Sequence, residues 1–126
     1  MDKIPILKIN DLLLVTIHAD LYDGVASGLK ADLVQMIKKT SARGVLLDIS
    51  AVHIIDSFIG MIIGQIASMS RILDATTVVV GMQPAVAITI VELGLPMQGV
   101  LCALNVEKGM ELLKKMILQK EDDSML

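Results

Sequence analysis

The chain has 126 residues, enough for one domain around one core and too few for two. With 11 Lys and Arg against 14 Asp and Glu, a net charge of −3 and only 2% aromatic residues, it lacks the basic, stacking surface of a nucleic-acid binder. Hydrophobic residues reach 54%, yet the longest apolar stretch, residues 58–69, contains Gln65, starts beside Asp56 and falls well short of the roughly twenty residues a membrane span needs.

In chain order, residues 4–9 read as a strand, Asn10-Asp11 as a turn and residues 12–18 as a second strand, together a hairpin. Asp20-Leu21-Tyr22-Asp23-Gly24 reads as a loop with helix-capping acids, and residues 25–40 as an amphipathic helix with Leu29, Leu33, Met36 and Ile37 inward. Gly44 opens a central apolar strand, Val45-Leu46-Leu47-Asp48-Ile49, which leads through Ser50 to Ile55 into Asp56 and Ser57. Both are good N-cap residues, and Phe58, Ile62, Ile66, Met69 and Leu73 then recur on one helical face. Residues 76–80 form a β-branched strand. Gly81-Met82-Gln83-Pro84 turns into a helix with Pro84 at an accepted first position, and Gly94 and Pro96 stop it. Residues 100–103 make a last short strand, and Asn105 caps a helix that runs to about residue 118 and carries the Glu111/Lys115 spacing.

The expected organisation is a single domain over residues 1–118 with a polar, acidic tail at 119–126 that frays. The order β-β-α-β-α-β-α-β-α predicts an N-terminal hairpin and right-handed crossovers, hence an α/β fold whose mixed, largely parallel sheet carries about four helices, mostly on one face. The opening Met1-Asp2-Lys3-Ile4-Pro5 has no basic region followed by an apolar run, so no signal peptide is read and a cytoplasmic location is expected. The single Cys102 agrees, and its apolar surroundings predict a buried, inert thiol. So much apolar residue in so small a domain, with nine Met and no Trp, points to burial against other chains and therefore to self-association.

The stretch between Gly44 and Gly64 carries the chemistry. It places the Ser57 hydroxyl at a helix N-terminus, where unpaired N–H groups and the helix dipole stabilise an added phosphate. With no lysine or glycine-rich cradle in this stretch, Ser57 reads as the substrate of another enzyme; the competing reading is a plain helix cap. Phe58, Ile59 and Met61 would form an apolar docking edge beside it, where a phosphate next to Asp56 would be costly to desolvate. Asp48 and Asp56 could meet at the end of the central strand, but without an activated nucleophile or oxyanion donors, turn and cap roles are favoured over catalysis. His18 and His53 lack partners at ligand spacing, so neither a metal nor a cofactor is expected. Gly60 and Gly64 have the small-xxx-small spacing that predicts tight packing on the sheet.

Four segments carry a family resemblance: Ile4-Pro5-Ile6-Leu7-Lys8, Asp48-Ile49-Ser50, Ile55-Asp56-Ser57-Phe58-Ile59, and Gly81-Met82-Gln83-Pro84-Ala85-Val86-Ala87 with Glu92-Leu93-Gly94 beyond. Over nearly its whole length the chain resembles STAS domains (sulfate transporter and anti-sigma factor antagonist), with Phe58-Ile59 and the Gln83-Pro84-Ala85 turn similar to the RsbS-type antagonists of the bacterial stressosome. The resemblance implies a non-enzymatic STAS fold in which Ser57 is phosphorylated by an RsbT-type serine/threonine switch kinase and dephosphorylated by an RsbX-type phosphatase. It also implies co-assembly with RsbR-type STAS proteins in a large particle, and partner docking around the phosphosite through Asp23, Asp56, Phe58, Ile59 and Met61. Without the N-terminal sensory domain of RsbR-type proteins, the chain is not expected to be the sensor. RsbR-type relatives are phosphorylated on threonines; Thr89 is the comparable residue here, read as a second phosphosite or, in preference, as a helix threonine bonded to its own backbone. Two other readings stay open: a free-standing anti-sigma factor antagonist of the SpoIIAA or RsbV kind, and a small-ligand or lipid-handling STAS module.

Overall fold

A computed structural model describes residues 4–18 and 23–124. The elements are β1 (Ile6–Ile9), β2 (Leu12–Thr16), α1 (Asp23–Thr40), β3 (Gly44–Asp48), α2 (Ser57–Ile72), β4 (Thr76–Val80), α3 (Pro84–Leu93), β5 (Val100–Ala103) and α4 (Val106–Ser124). One sheet holds the strands in the order β1-β2-β3-β4-β5. The β1–β2 hairpin is antiparallel and all later pairs are parallel, as helical crossovers require. Ile9 pairs with Leu12 across the two-residue turn, where Asn10 takes φ 52°, a left-handed conformation that asparagine tolerates.

The alternation of side chains along β2, β3 and β4 divides the core in two. On one face Leu13, Val15, Val45, Leu47 and Val79 pack with Leu29 and Leu33 of α1, Ile62, Ile63 and Ile66 of α2, and Val86 of α3. On the other, Leu12, Leu46, Val78 and Val80 pack with Leu113 of α4. Three helices therefore cover one face and α4 alone covers the other. Being covered on both faces is why residues 45–47 of β3 and 78–80 of β4 are unbroken apolar runs instead of alternating. Gly109 sets the approach of α4: a Cβ there would stand 2.6 Å from Val80 Cγ1 and 2.7 Å from Leu46 Cδ2.

Several boundaries differ from those read in the sequence. β1 begins at Ile6 and β2 ends at Thr16, although Ile17 N still donates to Asp48 O at 2.9 Å and keeps the chain beside β3. α1 starts at Asp23; the expected loop at residues 20–22 lies outside the described residues. The buried stripe of α2 is Ile59, Ile62, Ile63, Ile66, Ala67 and Ser70, so Phe58, Met69 and Leu73 sit half-buried on its flanks. α4 continues through Ser124 instead of fraying after residue 118. Two ion pairs tie its last turns to the body, Arg43 with Glu121 and Lys120 Nζ with Asp74 Oδ1 at 3.5 Å, and Gln119 Nε2 donates to Asp123 Oδ1 at 3.3 Å. On the outer side of α4 Glu111 pairs with Lys108 at 3.6 Å, in place of the expected Lys115. Cys102 is exposed, against expectation, because β5 is an edge strand. The partial burial of its thiol nevertheless pushes its pKa up. Among the described residues no helix is long and apolar enough to cross a membrane.

Candidate functional site

Two adjacent crossovers build the site at the C-terminal ends of β3 and β4. Asp48 closes β3 with an Asx turn, its Oδ1 accepting from Ser50 N at 2.9 Å. Ile49 N donates to Val80 O at 3.0 Å, and the following loop is pinned by the buried side chains of Val52 and Ile55. His53 and Ile54 between them face outward, Ile54 with 80% of its surface exposed.

The loop ends at Asp56, whose extended backbone (φ −111°, ψ 177°) makes it the N-cap of α2. Its Oδ1 accepts from Ile59 N at 2.9 Å. Ser57 is thus the first helical residue and is exposed, so the cap role offered to both residues by the sequence falls to Asp56 alone. Of the first N–H groups of α2, that of Ile59 is taken by the cap, while those of Ser57 and Phe58 have no intrahelical acceptor, so this end favours negative charge.

The surroundings of Ser57 only partly match the expected docking edge. Asp56 and Met61 are exposed and Phe58 is half-buried, but Ile59 is only 4% exposed and belongs to the main core. Its side chain is not on the surface; Ile54, overlooked in the sequence, is. The signal was available in the loop itself, since Val52 and Ile55 supply the two anchors and leave the residues between them outside. Asp23 is exposed as the first residue of α1, and among the described residues no hydrogen bond or ion pair links it to the start of α2.

The second crossover packs directly on the first. Gly81 has φ 75°, and a Cβ there would lie 2.8 Å from Ser50 Cβ and 3.1 Å from its Cα, so glycine is needed for both conformation and space. Gln83 Nε2 donates to Ser50 O at 3.0 Å, joining the two loops. Further along α3, Thr89 Oγ1 donates to Ala85 O at 2.9 Å, the back-bond favoured for it from sequence.

The other candidates separate. Asp48 and Asp56 each accept a backbone N–H of their own loop, which are turn and cap duties. His18 and His53 are exposed, and among the described residues there is no group of three or more His, Cys, Asp or Glu able to hold a metal ion. Gly60 and Gly64 do not pack on the sheet as expected; they face Leu95 and Pro96 of the loop after α3.

The family model described as the STAS domain matches residues 3–109. The chain belongs to the STAS domain family. A serine-to-glutamate variant of RsbS from Moorella thermoacetica is similar to this STAS domain at 34% identity, over 90% of this chain and 97% of that one, with a TM-score of 0.79. A chain from a structure of the stressosome, described as a signal integration and transduction hub, is 36% identical over 90% of this chain and 98% of that one, again with a TM-score of 0.79. The anti-sigma factor antagonist SpoIIAA in its unphosphorylated form matches at 11% identity over 89% and 96% of the two chains, with a TM-score of 0.70, a likeness of fold alone. No curated protein matches the chain in sequence.

Proposed function

We propose that this STAS domain is a phosphorylation-switched binding module of a stressosome-like assembly. It holds an RsbT-type switch kinase while Ser57 is free, releases the kinase when Ser57 is phosphorylated, and is reset by an RsbX-type phosphatase. The observation that carries the reading is the division of labour at the start of α2: Asp56 caps the helix, and Ser57 beside it is exposed. A phosphate added there brings about −1.5 to −2 of charge next to the Asp56 carboxylate and close in sequence to the exposed Ile54 and Met61. A partner packed on that patch would have to desolvate the new charge, and it dissociates instead.

The likeness to an RsbS variant at 34% identity and to a chain of a stressosome structure at 36% supports assembly with RsbR-type STAS proteins, the protein acting as scaffold and not as enzyme. One of those chains carries glutamate in place of a serine, a change that adds part of a phosphate's charge. Residues 4–124 act as one domain in this reading, dimeric or larger when purified. The test is kinase retention in particles reconstituted with an RsbR-type partner. Ser57→Asp should fold, since an anion suits a helix N-terminus. It should nevertheless weaken kinase retention about thirtyfold, the equivalent of about 2 kcal/mol. Ser57→Ala should retain the kinase. Equal retention by the two variants defeats the switch, and a small complex that binds the kinase without any large particle replaces the scaffold with a free-standing antagonist.

A further inference from the structure

The Gly60 and Gly64 pair plays no part in the switch, yet it shapes a second feature of α2. A Cβ on Gly60 would overlap Leu95 Cδ1, and one on Gly64 would sit 3.2 Å from the Pro96 carbonyl oxygen. The two glycines therefore let the loop after α3 close down on α2, leaving a groove of about 590 Å³ walled by Met61, Met69, Ile72, Leu95 and Pro96. That volume lies within the range of small-molecule sites, about 300–1,000 Å³. Its apolar rim is open to solvent, with Ile72 85% and Met61 46% exposed.

One charged side chain lines this groove, Arg71. Gly99, at φ 79°, lies beneath its guanidinium: a Cβ there would be 3.2 Å from Arg71 Cζ and 3.3 and 3.4 Å from the two terminal nitrogens. The guanidinium thus occupies space that a side chain at Gly99 would contest, so glycine at this position leaves room for it. Among the described residues Arg71 has no carboxylate partner. Nearby, Lys30 Nζ donates to Gln65 Oε1 at 2.8 Å and adds positive charge at the groove. An arginine without a carboxylate partner, lining an otherwise uncharged and largely apolar groove, matches a molecule with an apolar body and one planar anionic head.

We propose that this groove binds a small amphipathic carboxylate, its chain lying along the wall from Met61 to Ile72 and its head paired with Arg71. The proposal does not depend on the Ser57 switch. The test is a titration of isotopically labelled protein with decanoate, decanol and decylammonium, each kept below its aggregation threshold and followed by backbone amide shifts. Decanoate should move the amides of Gly64, Gln65, Gln98 and Gly99 and bind about tenfold or more tightly than the other two, as a charge-assisted pair provides. Arg71→Gln should erase that preference, and Ser68→Phe, which fills the groove from an exposed position, should block all three ligands. Ser57→Ala should bind decanoate as the unaltered protein does. Equal affinity for acid and alcohol, an Arg71→Gln variant that keeps the preference, or shifts absent or confined to another surface would overturn the proposal.

Discussion

The helices that follow β3 and β4 begin differently, and the difference decides which hydroxyl is available for chemistry. α2 is capped by a dedicated side chain, Asp56, so Ser57 beside it has no structural duty at that end. α3 begins at Pro84, which has no N–H and so needs no acceptor, and the Gln83 side chain turns away to donate to Ser50 O instead of capping. Its one hydroxyl, Thr89, lies within the helix and is committed to Ala85 O. Hydroxyl residues of similar chemistry thus have opposite standing: the first is exposed at an anion-tolerant end, and the second is engaged by its own backbone. The two starts are joined where Gly81 meets Ser50, so the position of the loop before Ser57 depends on the neighbouring crossover.

That junction offers the largest test of the comparison. Gly81→Ala places a Cβ against Ser50 at a left-handed φ, and should cost about 1–3 kcal/mol in urea unfolding. Unchanged stability would mean that the two loops are not packed as described. A smaller effect sharpens the contrast between Asp56 and Ser57. Asp56→Ala removes the bond to Ile59 N and should cost about 1 kcal/mol, while Ser57→Ala should stay within about 0.5 kcal/mol. The reverse order, read by thermal or urea unfolding, would return the cap to Ser57 and leave its hydroxyl structural.

Local chemistry was legible in the sequence and tertiary arrangement was not. β4 and β5 were found with their bounds, because a β-branched run and flanking turn residues act within a few positions. The Asn105 cap, bonded to Lys108 N at 2.9 Å, and the left-handed Gly94 stop were found for the same reason. The inward face of α2 was read off centre, with Ile62 and Ile66 in the core but Phe58, Met69 and Leu73 packed against it from the flanks, because the helix is apolar nearly all round. The helix start at Asp56-Ser57 was legible in the sequence, but the choice of cap between two suitable neighbours depended on the backbone angles of Asp56. The exposure of Cys102 follows from strand order, the helical tail from ion pairs to Arg43 and Asp74, and the role of Gly60 and Gly64 from a loop more than thirty residues away. None of these contacts leaves a periodic trace in the chain.

The central claim is that Ser57 is the residue modified and that Thr89 is not. Site-resolved mass spectrometry after incubation of the assembled protein with an RsbT-type kinase and ATP tests it most directly. Phosphate should appear on Ser57, none on Thr89, and none anywhere in Ser57→Ala. Phosphate on Thr89, or undiminished incorporation into Ser57→Ala, would contradict the account.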